Sequence, residues 1–154
     1  MPKLDLDAIP ENNSTGYPAP FDAAVEGRWK RRVGLAAGLT ELGASRVVLK
    51  PGAWSSQRHW HDGEDELLVM LSGEAVLIED EGRTVLRAGD ICVWKKGVAN
   101  GHHLVNESDA DCTFVAVSAG ADAGGHYSDI DMMWTADGQF RHKDGTPYPT
   151  ERIR

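Results

Sequence analysis

The sequence predicts an all-β fold, an antiparallel sandwich or barrel, on three observations. From Ser45 onward, short apolar runs alternate with Gly- and Asp-rich turns about every 8–12 residues. No apolar period of about 3.6 residues survives across that region, and no tandem repeat interrupts it. The 154 residues favour one domain. That length is enough to bury roughly two-thirds of the unfolded surface.

Each element follows in chain order. Residues 1–28 carry prolines and glycines with little periodicity and read as an extended arm. In "GRWKRRVGLAAGL" (27–39), Gly34 and Gly38 weaken a helix, so a strand followed by a turn is expected. Residues 1–44 thus form an N-terminal arm with the first strand or strands. The barrel itself spans 45–118. "SRVVLK" ends at Pro51-Gly52, "LLVML" at Ser72-Gly73, "AVLIE" at Asp80-Glu81-Gly82 and "RTVLR" at Ala88-Gly89-Asp90. "ICVW" ends at Lys95-Lys96-Gly97, "HHLVN" at Glu107-Ser108-Asp109 and "CTFVAVS" at Ala119-Gly120. Residues 119–154 are polar and Gly-rich, yet hold Tyr127, Met132, Met133, Trp134, Phe140 and Tyr148. A disordered segment rarely carries so many large apolar groups. An ordered C-terminal arm, packed over the barrel or a partner subunit, is expected.

Composition narrows the function. The formal net charge is −8, with 24 acids against 16 Lys and Arg. That balance disfavours nucleic acid and anionic membranes, which need clustered cations. Lys30-Arg31-Arg32 is a short basic cluster and reads as a solvated strand end. No apolar targeting segment opens the chain, and the run Leu67–Leu71 is far too short to span a bilayer. Cys92 and Cys112 sit in apolar strand contexts without a CxxC pair. They read as reduced core residues of a cytoplasmic protein.

The chemistry concentrates in "HWHDGEDE", residues 59–66. Alternate residues of a strand face one side. In "SSQRHWH", His59 and His61 therefore share a face with Gln57 and Ser55, while Arg58 and Trp60 take the other. Neutral imidazole is a common metal ligand, so two on one concave face can converge on one ion. Glu66 opens the next strand on the face of Leu68 and Met70, opposite the histidines. Asp62, Glu64 and Asp65 read as a solvated turn. A fourth ligand is available in "GVANGHHLVN", where His102, Leu104 and Asn106 share one face and His103 and Val105 the other. Three histidines and a glutamate suit Mn, Fe, Ni, Co or Zn with positions left open for substrate.

The spacing Gly52-x6-His59-x-His61-x4-Glu66-x6-Gly73 resembles the first motif of the cupin superfamily. Gly89-x5-Lys95-x-Gly97 with His102-x3-Asn106 resembles the second, after an inter-motif segment of 15 residues. Two departures stand out. Lys95 replaces the usual proline, and two extra residues precede His102. The His-x3-Asn spacing and strand parity favour His102 over His103 as the ligand. The resemblance covers about residues 45–118. It implies a jelly-roll β-barrel holding one divalent transition metal (Zn, Mn, Fe or Ni) through His59, His61, Glu66 and His102. Ser55, Gln57, Leu68, Met70, Leu104, Asn106 and Tyr127 are the expected pocket lining. The flanks resemble small bacterial cupins often labelled sugar-phosphate isomerases, so a metal-dependent enzyme acting on a small polar metabolite is expected. An iron-dependent dioxygenase and a non-catalytic small-molecule binder are the alternatives. For an isomerase, His126, Tyr127 or Asp129 could supply a base, and Lys50, Arg58, Lys95 or Lys96 could meet a phosphate, although Arg58 should point outward. Homodimerisation is expected from the apolar groups in the two arms.

Overall fold

The computed structural model describes residues 3–149. Its strands are β1 (Arg28–Arg31), β2 (Leu42–Leu49), β3 (His59–His61), β4 (Glu64–Ser72), β5 (Glu74–Glu79) and β6 (Gly82–Arg87). They continue with β7 (Ile91–Trp94), β8 (His103–Val105), β9 (Cys112–Gly120), β10 (Gly124–Tyr127), β11 (Met133–Thr135) and β12 (Phe140–Arg141). Every strand pairing is antiparallel. One sheet runs β1-β2-β9-β4-β7, a second β12-β11-β10-β3 and a third β6-β5-β8. The all-β jelly-roll expectation holds. Among the described residues no helix is long and apolar enough to cross a membrane.

The core lies where the five-stranded and three-stranded sheets face one another. Val47, Leu49, Leu68, Met70 and Phe114 from the first pack with Leu77, Leu86 and Leu104 from the other. Alternation sorts β4, whereas β5 and β8 bury three consecutive residues each. On β4, Leu68 and Met70 are buried while Leu67 and Leu71 are exposed. Sharp turns keep the strands short. Gly73 joins β4 to β5 at φ +73°, where a Cβ would come within 2.6 Å of the Asp111 carbonyl oxygen. Only glycine meets both demands without strain.

Local expectation and structure part company at four places. After β1 the chain forms one short helical turn, α1 (Val33–Ala36), rather than a simple turn. Gly34 is tolerated there because it packs against the Ala44 backbone, where a Cβ would meet the nitrogen at 2.9 Å. Strand β3 begins only at His59, and residues 55–58 are a bend. Strand β4 begins at Glu64, so the acidic turn shrinks to Asp62 and Gly63. Its pairing with β9 at Glu64↔Gly120 and Asp65↔Ala119 carries those acids into the ladder. Residues 119–154 were expected as an arm. Their described part supplies β10–β12, which add to β3 through Gly125↔His61 and Tyr127↔His59. The N-terminal arm contributes two 3-10 turns, Leu6–Ala8 and Ala23–Val25, with the Val25 side chain fully buried.

Candidate metal centre

Strand parity aims His59 and His61 at the same space, with their Nε2 atoms 3.2 Å apart. Glu66, at the start of the adjoining sheet, reaches both remaining histidines. Its Oε1 lies 3.3 Å from His61 Nε2 and its Oε2 2.7 Å from His102 Nε2. The ligand atoms of His59, His61 and Glu66 all lie within 4.8 Å of one another. His102 joins through Glu66 and through its backbone, which bridges that of His59.

This donor set fits a metal. Atoms about 2.1 Å from one ion at tetrahedral or octahedral angles stand roughly 3.0–3.4 Å apart, close to the spacing seen. Each imidazole also turns Nδ1 toward an oxygen, which leaves Nε2 as the lone-pair face. His59 Nδ1 lies 2.9 Å from the Gln57 carbonyl and His102 Nδ1 3.2 Å from that of Asn100. His61 Nδ1 lies 3.1 Å from Glu64 Oε2, an ion-pair distance, but the angle is too poor for a hydrogen bond. Burial, with His102 alongside, holds His59 down at about 3, so its ring is neutral at neutral pH. Burial pushes the Glu66 carboxyl upward, but the His102 and His61 rings beside it outweigh that and keep the group ionised.

Aromatic rings brace the cage. Trp94 stacks flat on His102, ring centroids 4.0 Å apart, and its Nε1 donates to Glu79 Oε1 at 2.8 Å. Trp134 stands edge-on to His61 at 5.0 Å. It packs over Gly125, where any Cβ would strike the indole ring and the Trp60 carbonyl. Parity alone exposed neither role, because both depend on strands that meet only in the folded sheet.

The cage opens into a cavity of about 320 Å³. That is near the lower end of the range for small-molecule sites. Ser55, Leu68 and Leu104 line it, as do His103 and Trp94. Gln57, Met70, Asn106 and Tyr127, expected there, are not among the lining residues. Gln57 lies in the bend before β3, and its Nε2 donates to the Phe21 carbonyl at 3.0 Å. Met70 is 1% exposed within the core. Asn106 spends its amide on the carbonyls of Leu49 and Ala110, at 2.9 and 2.8 Å. Tyr127 packs against the His59 and Tyr17 rings, at centroid distances of 5.8 and 5.6 Å.

The expected bases and cations are also redistributed. His126 stacks on Trp60 and sits 3.3 Å from Asp62, away from the cavity lining. Asp129 is bound to Arg58, which points outward and pairs with Asp80 as well. Lys50 pairs with Asp111 at 2.7 Å. Glu64, read as solvated, accepts from Ser118 Oγ at 3.2 Å beside His61. The cations on this cavity's lining are Arg28 and Lys30, with Tyr17 from the N-terminal arm, while Lys95 lines a second pocket of about 140 Å³ against His61, Glu66 and His102. Lys30 had read as part of a solvated strand end. Its place in β1 turns it inward, and Arg31 turns outward to Asp7 and Glu11.

A family model described as a cupin domain matches residues 45–118. A crystal structure from Silicibacter pomeroyi, described as a sugar phosphate isomerase from a cupin superfamily, is 40% identical to this chain. The match covers 99% of this chain and 100% of that one, with a TM-score of 0.89. An oxalate-binding protein from Thermotoga maritima is 38% identical over 74 residues, 47% of this chain and 58% of that protein. The chain therefore matches little more than half of that relative. A structure from Thermotoga maritima described as a predicted oxalate decarboxylase is 25% identical, with a TM-score of 0.53 over 60% of this chain and 80% of that one.

Proposed function

The chain belongs to the cupin superfamily, and from that premise we propose that it is a metal-dependent enzyme acting on a small polar metabolite, as an isomerase of a sugar or sugar phosphate. The observation that carries the reading is the cage itself: His59 and His61 bring Nε2 within 3.2 Å of one another, and Glu66 stands 3.3 Å from His61 Nε2 and 2.7 Å from His102 Nε2. In this reading His102 is the fourth ligand beside His59, His61 and Glu66, and the ion is a divalent transition metal such as Zn, Mn, Fe or Ni. Such an ion would supply Lewis-acid polarisation of a substrate carbonyl. The name of the Silicibacter pomeroyi relative supports the substrate class.

Isomerisation also needs a group that takes a proton from carbon and returns it to the neighbouring carbon. His103 supplies it in this reading. It lines the cavity, and its Nδ1 lies 2.9 Å from the Ser56 carbonyl, so Nε2 is free to accept. Burial lowers its pKa, so the imidazole is neutral at neutral pH and has a lone pair to accept a proton. Leu68 and Leu104 limit water beside it.

Proton NMR in deuterium oxide tests the reading on metal-loaded protein with aldose and ketose phosphates. The expected result is interconversion with deuterium appearing at the carbon next to the carbonyl. His103→Gln should lose that exchange and keep its metal. Full metal loading without exchange on any sugar or sugar phosphate sinks the isomerase. Oxygen uptake by the iron-loaded protein would replace it with a dioxygenase, and ligand retention without product with a non-catalytic binder.

Homodimerisation is part of the same reading. The outer face of the five-stranded sheet exposes Leu67, Ile91 and Val93 side by side. A contiguous apolar face of that kind marks an interaction surface.

A further inference from the structure

The cavity holds two cations that the metal cage does not use. Arg28 and Lys30 are alternate residues of β1, so they share a face. The register fixes which face. Arg28 lies opposite Leu49 and Lys30 opposite Val47, both buried core residues on β2. Both cations line the cavity with His59, His61, Glu66 and His102.

Neither has an acidic partner among the described residues. The chain carries 24 Asp and Glu against 16 Lys and Arg; among the described residues Lys3, Arg32, Lys95, Lys96 and Lys143 also lack an ion pair, so what sets Arg28 and Lys30 apart is that they face the cavity. Arg31 on the other face of β1 pairs with Asp7 and Glu11, Arg58 with Asp80 and Asp129, Arg83 with Glu107 and Arg87 with Glu74. Arg28 donates one Nη1 to the Ser55 carbonyl at 2.7 Å, while its Nε is buried without a partner. That Nε is closed off from the cavity, so an incoming anion meets the guanidinium through its Nη atoms.

We propose that Arg28 and Lys30 form an oxyanion subsite that seats a carboxylate or phosphate group of the substrate. The uncharged remainder of that molecule then extends toward the histidine cage. A guanidinium fork and a mobile ammonium on one wall match either oxyanion. Tyr17 and Ser45 line the same cavity. Burial depresses the pKa of both cations, Lys30 to about 8, and a bound anion relieves that penalty. The subsite deepens the metal-enzyme reading by restricting its substrates to anions, and it rests on that reading for the role of the cage.

Calorimetric titration of inorganic phosphate, and separately of acetate, into the protein as purified tests the subsite. Lys30→Gln should weaken binding by about tenfold or more, the loss expected for one charge-assisted hydrogen bond. Lys30→Arg, which keeps the charge, should retain binding, and Lys143→Gln on the exposed surface should match the wild type. Binding of phosphate alone assigns the subsite to phosphate esters, and binding of both extends it to carboxylates. Equal affinity in wild type and Lys30→Gln overturns the proposal, as does binding that survives Lys30→Gln but vanishes on chelation. A Lys30-dependent phosphate site in a protein that exchanges no deuterium into sugar phosphates supports the subsite and sinks the isomerase, so the two failures are separable.

Discussion

On one wall of the cavity Glu66 is shared between His61 and His102, while on the other Arg28 and Lys30 face the same space with no carboxylate partner among the described residues. The first wall balances its charge internally and leaves only lone pairs directed inward. The second balances nothing, and a buried guanidinium nitrogen goes without a partner. Pairing within the chain marks a group held for geometry. A cation turned into the cavity without an acid beside it is open to an anion that arrives from outside.

The largest effects should come from breaking the cage wall. Glu66→Gln and His59→Ala are each expected to reduce bound metal below detection by elemental analysis, with phosphate affinity retained. Glu64→Gln should weaken metal by no more than about tenfold, because Glu64 stands 3.1 Å from His61 Nδ1 without hydrogen-bonding it. Metal loss in Glu64→Gln as complete as in Glu66→Gln would erase the distinction between ligand and support.

A smaller effect should separate the walls by pH. Burial, with Arg28 and Arg32 adding repulsion, holds Lys30 at about 8, so it is charged below that value and neutral above. Phosphate affinity should therefore be full at neutral pH and fall as pH rises through and beyond about 8. Calorimetry on Lys30→Gln should show no such fall. An identical pH profile in the two proteins would remove Lys30 from the second wall.

The smallest effect on binding should come from outside both walls. Val93 is 69% exposed on the outer sheet face. Val93→Lys is expected to leave metal and phosphate binding unchanged and to shift the mass by light scattering from dimer to monomer. A wild-type monomer would refute the dimer, and altered metal binding would show that the outer face and the cage are coupled.

Much of the cage wall was legible because its signals are local. His59 and His61 share a face by the two-residue period of a strand, and Glu66 lies only five positions on, across Asp62 and Gly63. The strands from β2 to β9 were legible for the same reason, since each apolar run ends at a Gly or Asp turn. Gln57 misled because the parity that places the histidines was extended into residues 55–58, which bend. Glu64 misled in the opposite sense: it was read as turn, and pairing with Gly120 draws it into the ladder beside His61.

The sequence by itself determined the all-β class, the turn positions and the cluster of His59, His61 and Glu66, because those follow from alternation and spacing along a few residues. The tertiary structure alone decided which acid supports His61, that Trp94 lies flat on His102, and that Arg28 and Lys30 turn inward. Those depend on register between strands far apart in the chain, β4 against β9, β7 against β4 and β1 against β2. A shift of one residue in any such pairing would send every side chain to the opposite face. No local pattern encodes that choice. The collective burial of the core makes it.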